Sequence, residues 1–573
     1  MEFSPTYRNG VRVWFSLGSN LRRAAKLTAP TLRFVLAWMV LNVLVNLNYP
    51  ARELHGLAPL LPSPEVTVLM GSLCAAIWLG MPFRPIIYAP LTGLMIFFRL
   101  FRLADILVPM YFNRDFNLYI DSQYVPDLVH LLYNTVPIGA FVGYVAGAAA
   151  LLIVVACGVW WAFKAIHQAM GAMRQRHLFL ALVTVHLGLL PLLPPGIMGG
   201  HPREFSRGFF HRVIGEIDFI LHVHGYRTRD LEAILASRAR AEQTPASLDK
   251  LRGQNVYVFF IESYGHTVFA NPSHFSMIAP LLGDFEKNLE NQGFAAYSSF
   301  VTSPTYGGTS WLAHGSFASG VPLTSQMRYD LLVTSGLKML AHYFNEAGYR
   351  TISVMPGTTW PWPEGEAFGY QEKYYAWNFD YKGPKYGWSP MPDQYVLDYI
   401  YREEIRNRKQ PLFIEYVLIT SHAPFHRQPP YLENWSQIGD GSIFHNKDTI
   451  TFPIVWPDLS EAGEAYMTSI AYEVKVLKAY LEQYVDDGAL VIILGDHQPN
   501  PHITGEGQPW SVPIHVISRN QDLLEPFVAR GYTSGLVPSQ PLPHHGIQTF
   551  LYGFLHDFST PPTERAGATH SQP

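Results

Sequence analysis

Almost every long apolar run in this chain lies before Pro195, and the charged and histidine-rich motifs lie after it. One hydrophobic core cannot serve both halves. A bilayer core asks for about 20 mostly apolar residues per helix. Candidate spans read near Phe34 to Leu47, Val66 to Met81, Pro85 to Phe98, Val136 to Phe163 and Leu178 to Leu193. Over 573 residues the apolar share is 48% and the charged share 15%, low for a wholly soluble protein. The third run ends at Arg99 and Arg102, and Phe101 to Phe112 reads alternatively as an interfacial helix whose Arg side chains snorkel to headgroups.

Lys and Arg bias in short loops sets the orientation. Arg8, Arg12, Arg22, Arg23, Lys26 and Arg33 precede the first span, and Lys164, Arg174 and Arg176 lie between the fourth and fifth. Both clusters read as cytoplasmic. The loop from Arg114 to Asp127 carries Asp115, Asp121 and Asp127 and reads as external. About five spans make these signals agree and place the rest of the chain outside a cytoplasmic membrane. A cleaved signal peptide does not replace this reading, because the later runs still anchor the chain. The expected organisation is a membrane region over 1–195, a linker with interfacial helices over 196–250, a catalytic domain over 251–560 and a disordered tail over 561–573.

Two function classes drop out early. Net charge is -4, without the global basic field that nucleic-acid binding needs. The two cysteines, Cys74 and Cys157, both sit inside apolar runs, so the second half has neither disulfides nor thiolate chemistry.

From Asn255 onward, short apolar runs alternate with helical stretches, which predicts an α/β domain with a largely parallel sheet. Strands are expected at Val256 to Ile261, Arg350 to Val354, Leu412 to Ile419 and Leu490 to Leu494. Ligands in such sheets bind beyond the carboxyl ends of strands. Glu262 follows the first strand, Thr420-Ser421-His422 the third, and Gly495-Asp496-His497 the fourth. Singly, Glu262 reads as well as a helix cap, and Asp496 as a turn residue. Three strands finishing on metal-capable or acid/base side chains point to a site. Gly307-Gly308-Thr309-Ser310 precedes the helical stretch Leu312 to Ser319. Two glycines there let backbone N–H groups approach an anion. A hydroxyl in that place becomes nucleophilic beside a base or a divalent ion held by Glu262, Asp496 and His497. Thr309 or Ser310 could equally cap the helix, and the two roles are compatible.

These motifs, with Phe260-Ile261-Glu262-Ser263 and Thr420-Ser421-His422-Ala423-Pro424-Phe425, resemble the sulfatase-like branch of the alkaline phosphatase superfamily. Lipoteichoic acid synthases and phosphoglycerol transferases are the nearest likeness, with phosphoethanolamine transferases next. The resemblance implies an alkaline-phosphatase-like α/β catalytic domain behind an α-helical transmembrane anchor. It implies one divalent ion (manganese, zinc or magnesium) on Glu262, Thr309, Asp496 and His497, with Thr309 as nucleophile and His422 contacting substrate. The implied reaction takes a phospho-headgroup from an anionic phospholipid to a glycan or lipid acceptor through a phospho-threonine. A hydrolase of the same superfamily and a non-catalytic membrane scaffold are the alternatives. Thr309-Ser310-Trp311-Leu312-Ala313 lacks the Cys/Ser-x-Pro-x-Arg signal of true sulfatases, and Ser421 to His426 lacks the extra Asp of two-metal phosphatases. Phosphoglycerol polymerases carry an Asp and an Arg in the loop after the second strand. Here that loop runs Pro356 to Glu364, with Trp360, Trp362 and Glu364 as candidate pocket residues, or as packed loop side chains.

Overall fold

Among the described residues, the apolar runs of the first half fold as helices. The computed structural model describes residues 30–47, 63–80, 85–170, 176–177, 179–181, 202–453, 459–539 and 544–561. The chain forms two units, Met1–Pro109 with Asp115–Leu221, and Met110–Arg114 with His222–Pro573.

In the first unit, Ile138–Met170 has a mean hydropathy of 2.4 over its best window, none of it buried. At 1.5 Å per residue its 33 residues extend about 50 Å, beyond a bilayer core of about 30 Å. Among the described residues it is the one helix long and apolar enough to cross a membrane; Pro30–Asn46 and Glu65–Ile77 are apolar but shorter. The expected span Leu178 to Leu193 falls almost wholly outside the described residues, as do Arg8, Arg12, Arg22, Arg23 and Lys26 and the tail beyond 561.

The third run differs from expectation. It continues through Arg99 and Arg102 as one helix, Tyr88–Phe112. Arg102 does not snorkel; it is 1% exposed and pairs with buried Glu65 at 2.8 Å. Its guanidinium also donates to the Val45 carbonyl at 2.8 Å and to Asn46 Oδ1 at 3.1 Å. A guanidinium held by a carboxylate and a backbone carbonyl is satisfied inward, which removes the drive toward headgroups. The linker expected to carry interfacial helices holds one long helix, Pro202–Gln243.

The second unit is built on an eight-stranded sheet. In chain order its strands are β1 Val256–Ile261, β2 Ala295–Thr302, β3 Arg350–Met355, β4 Glu372–Tyr375, β5 Leu412–Leu418, β6 Leu490–Gly495, β7 Ser511–Ser518 and β8 Thr533–Ser534. Across the sheet they run β8-β2-β7-β6-β1-β5-β3-β4. β6, β1, β5, β3 and β4 are mutually parallel, and β7 turns antiparallel on β6. Alternate residues of β1 feed opposite faces. Tyr257, Phe259 and Ile261 join the core under helices Pro272–Asn291 and Leu459–Tyr484. Val256, Val258 and Phe260 join the core under helices Ser310–Ser319, Leu340–Glu346 and Thr549–Phe558. A central strand sealed on both faces reads as a near-continuous apolar run, which is why β1, β6 and β5, the last interrupted only by Glu415, are legible.

The end of the long helix Pro202–Gln243 is part of this unit. Ile234 lies in the second core, Ser237 Oγ bonds the Tyr552 hydroxyl at 2.6 Å, and Asp230 pairs with Arg328 at 2.6 Å. A fragment spanning 222–561 should therefore be monodisperse and melt cooperatively. A fragment beginning at 250 strands the Arg328 charge and should melt lower by on the order of 5 °C. Calorimetry of both fragments checks this, and equal midpoints would show that the helix end contributes nothing.

Candidate active site

β1 and β6 are neighbours, and Ile261 stands opposite Gly495 in their ladder. The residues that follow, Glu262 and Asp496, are therefore delivered side by side at the carboxyl edge of the sheet. Gly495 is required there, because a Cβ would fall 1.9 Å from the Tyr264 carbonyl oxygen. One ligand atom each from Glu262, Asp496 and His497 lies within 4.8 Å of the others, with all three residues buried.

Their outer contacts fix them. Asp496 Oδ1 accepts from the Ser263 N–H at 2.8 Å and the His497 N–H at 2.6 Å. The Ser421 hydroxyl donates to the Glu262 carbonyl at 2.6 Å, tying the end of β5 to the end of β1. His497 Nδ1 donates to the Gln498 carbonyl at 2.8 Å, which turns Nε2 inward, 3.2 Å from Glu262 Oε1. Ring nitrogens that ligate metals are commonly oriented by such a carbonyl.

The electrostatics describe a site short of positive charge. Burial and then the adjoining Glu262 carboxylate push the Asp496 carboxyl up to about 7. Burial disfavours the His497 imidazolium, yet the Asp496 and Glu262 charges hold it up to about 9. Burial likewise works to raise Glu262, but the His497 and His422 charges keep its carboxyl below the ordinary range. Asp496 Oδ2 is buried without a hydrogen-bond partner. Two carboxylates, an inward imidazole nitrogen and an orphaned carboxylate oxygen fit a divalent cation, and the set suits zinc or manganese equally well.

The Gly307–Thr309 loop approaches this cluster with positive φ at three successive residues, 69°, 152° and 59°. The last is notable because Thr309 is β-branched, and left-handed backbone is rare for such a residue. It precedes the helix Ser310–Ser319. The Thr309 hydroxyl is turned to its own loop, donating to the Gly308 carbonyl at 2.6 Å and bonding the Thr305 hydroxyl. The hydroxyl that faces the cluster is that of Ser310, which donates to Glu262 Oε2 at 3.0 Å and lies 3.3 Å from His497 Nε2.

Of the remaining expected residues, His422 is close enough for its charge to act on Glu262. Its ring stacks on Trp388 at 5.2 Å, a residue not singled out from the sequence because a lone aromatic in a turn carries no signal of its own. Trp362 is taken up in packing, with Nε1 donating to the Tyr329 hydroxyl at 3.1 Å and its ring 5.0 Å from Phe368. Glu364 is exposed and acts on Tyr329 and Asp330, and Trp360 is 56% exposed. The structure brings together Glu262, Asp496, His497, Ser310 and His422, and leaves Trp362 and Glu364 on the side of helix Gln326–Thr334.

Residues 295–530 match the family model for sulfatases, and the sheet and cluster form a sulfatase-like α/β domain. Three phosphotransferases are among the solved structures similar to the chain. The lipoteichoic acid synthase LtaP of Listeria monocytogenes matches at 13% identity over 54% of this chain and 75% of its own, with a TM-score of 0.34. The periplasmic domain of the phosphoethanolamine transferase EptC of Campylobacter jejuni matches at 12% over 53% and 88%, with a TM-score of 0.33. The Streptococcus pyogenes phosphoglycerol transferase GacH, in complex with sn-glycerol-1-phosphate, matches at 12% over 59% and 96%, with a TM-score of 0.34. No curated protein matches the chain.

Proposed function

We propose that this chain is a membrane-anchored, metal-dependent phosphotransferase whose catalytic domain lies outside the cytoplasmic membrane. It takes a phosphoglycerol or similar headgroup from an anionic phospholipid and passes it to a glycan or lipid acceptor. The observation that carries the reading is the buried Glu262–Asp496–His497 cluster beside two hydroxyls at the start of a helix. The apolar helix Ile138–Met170 supports the anchor, as one of about five spans.

A divalent ion bound by Glu262, Asp496 and His497 supplies Lewis acidity toward a phosphoryl oxygen and favours the ionised form of a nearby hydroxyl. The first turn of helix Ser310–Ser319 directs partial positive charge at the phosphate. The Thr309 oxygen attacks phosphorus, the bond from phosphorus to the lipid oxygen breaks, and the lipid leaves as an alcohol carrying the proton Thr309 gives up. An acceptor hydroxyl then attacks the phospho-threonine, and its proton returns to Thr309. His422 contacts the substrate beside Glu262. The motif resemblance and the strained left-handed backbone of Thr309 support its role, since such strain collects at functional sites. Ser310 is a second reading for the nucleophile, favoured by its hydrogen bonds to the cluster.

Membranes carrying the full chain and a headgroup-labelled phospholipid should place label in a glycan or lipid product. Label released only as a water-soluble phosphoester would instead make the enzyme a hydrolase, and no turnover with any anionic lipid would favour a scaffold.

A further inference from the structure

Behind the loop that carries His422 stand two fully buried carboxyl groups, Asp393 and Glu473. Asp393 opens the helix Asp393–Ile400, Glu473 lies midway along Leu459–Tyr484, and both are 0% exposed. Asp393 Oδ2 accepts from the backbone N–H groups of Ile419 at 2.8 Å and Thr420 at 2.6 Å. The Asp393 N–H in turn donates to Thr420 Oγ1 at 3.2 Å. β5 ends at Leu418, so these three bonds hold the chain where it leaves the sheet and turns toward Ser421 and His422. Asp393 Oδ1 and both Glu473 oxygens are buried and make no hydrogen bond of ordinary geometry, and what lies against them is each other's carboxyl and Thr420. The groups that face them from the packed elements are Thr420 and the phenol of Tyr472, with Tyr386 on the far side of that phenol.

Two acceptor-only groups in contact at full burial are a contradiction unless one of them carries a proton. Asp393 is the one kept ionised, because its Oδ2 already receives two N–H bonds, and bonding to the charged form favours it. The proton therefore belongs to Glu473. We propose that Asp393 and Glu473 form a one-proton carboxyl pair that positions His422, with the Glu473 acid donating to Asp393 Oδ1 and Asp393 gripping the Ile419 and Thr420 N–H groups. The pair touches no substrate. Its catalytic consequence rests on the role given to His422 above; its protonation does not. Burial raises both carboxyls, and the Asp393 charge carries Glu473 further, well above the ordinary carboxylate range.

The sign of the linkage follows. An unfolded Glu has lost its proton at neutral pH, whereas the folded pair retains one. The pair is therefore most favourable to the fold below the ordinary Glu range, and it loses stability as pH rises through that range toward the folded value.

The test uses the full chain with metal bound, in detergent. Glu473→Gln keeps a donor, the amide N–H, for Asp393 Oδ1 and needs no captured proton. It should transfer phospho-groups within about 3-fold of the unsubstituted enzyme and melt higher than it at pH 8, with the gap closing toward pH 5. Glu473→Leu removes the donor, leaves Asp393 Oδ1 charged and bare, and should lose at least about 10-fold in kcat/KM. Infrared difference spectra between the unsubstituted chain and Glu473→Gln should show a protonated-carboxyl C=O band at pH 8 that the variant lacks. This readout holds even if Glu473→Leu fails to fold or the chain transfers no phospho-group at all. Absence of that band, or a Glu473→Gln protein as impaired as Glu473→Leu, would overturn the pair.

Discussion

Thr309→Ala is expected to cut transfer by about four orders of magnitude or more, leaving a folded protein that still binds its metal ion. The Thr309 oxygen is the atom proposed to carry the phospho-group, and alanine has nothing to put in its place. Glu262, Asp496 and His497 are held by backbone N–H groups and by Ser421, none of which the substitution touches. The substitution should also be neutral or mildly unfavourable to the fold, since the left-handed backbone persists. Ser310→Ala discriminates the second reading. It removes the hydroxyl bonded to Glu262 Oε2 and should cost about 10- to 100-fold by disturbing a cluster carboxylate. Mass spectrometry of enzyme quenched during turnover should locate the added phospho-group on Thr309. An adduct on Ser310, or a Thr309→Ala enzyme with full activity, would move the nucleophile by one residue.

The second large effect concerns the carboxylates. The soluble fragment should bind one divalent ion per chain, and Asp496→Asn should weaken that binding at least about 100-fold and abolish transfer. At ion concentrations about 1,000 times Kd the bound ion stabilises by about 4 kcal/mol, so removing it with a chelator should lower Tm by about 5–10 °C. The variant should behave in the opposite sense without metal. Burial first, and then repulsion from Glu262, raises the Asp496 carboxyl to about 7. An uncharged amide relieves that repulsion, so metal-free Asp496→Asn should melt no lower than the metal-free parent at pH 8 while losing the metal-induced shift. Elemental analysis and calorimetry together decide it. Two tightly held ions per chain would contradict the single-site geometry.

What the sequence disclosed depended on how locally the physics is written. β1 and β6 are continuous apolar runs and β5 is one broken only by Glu415, so they announce themselves, and the residues just past them inherit a position at the sheet edge. β2 and β7 do not. β2 carries Ser298 and Ser299, and Ser298 Oγ lies 2.7 Å from Nδ1 of buried His515 on β7. β7 also contains Pro513, which immediately precedes Ile514, the first of its residues paired with β6. Polar residues and a proline argue against a central strand until the cross-strand partner is known. The gathering of Glu262, Asp496 and His497 was readable from their places after strands, but the direction of the Thr309 and Ser310 hydroxyls was not, because a backbone torsion decides it. Arg102 looked like a membrane-edge cation because Glu65, its partner, stands 37 positions away with no periodic relation to it. Asp393 and Glu473 were invisible for the same reason. Each is an ordinary helix residue until a third element closes over both.

The register between β1 and β6 bears on how such a protein could be altered. With Ile261 opposite Gly495, the separation of the Glu262 and Asp496 backbones is that of adjacent strands, about 5 Å, and is maintained by the ladder rather than by any loop. Loop exchange and charge placement are thereby decoupled. The segments around Trp360, Trp388 and His422 leave other strand ends, so a graft of any of them from another chain with this sheet imports new surface without moving the two carboxylates. Successive loop exchange, not redesign of the Glu262–Asp496–His497 cluster, is the economical way to change what this scaffold admits to its sheet edge.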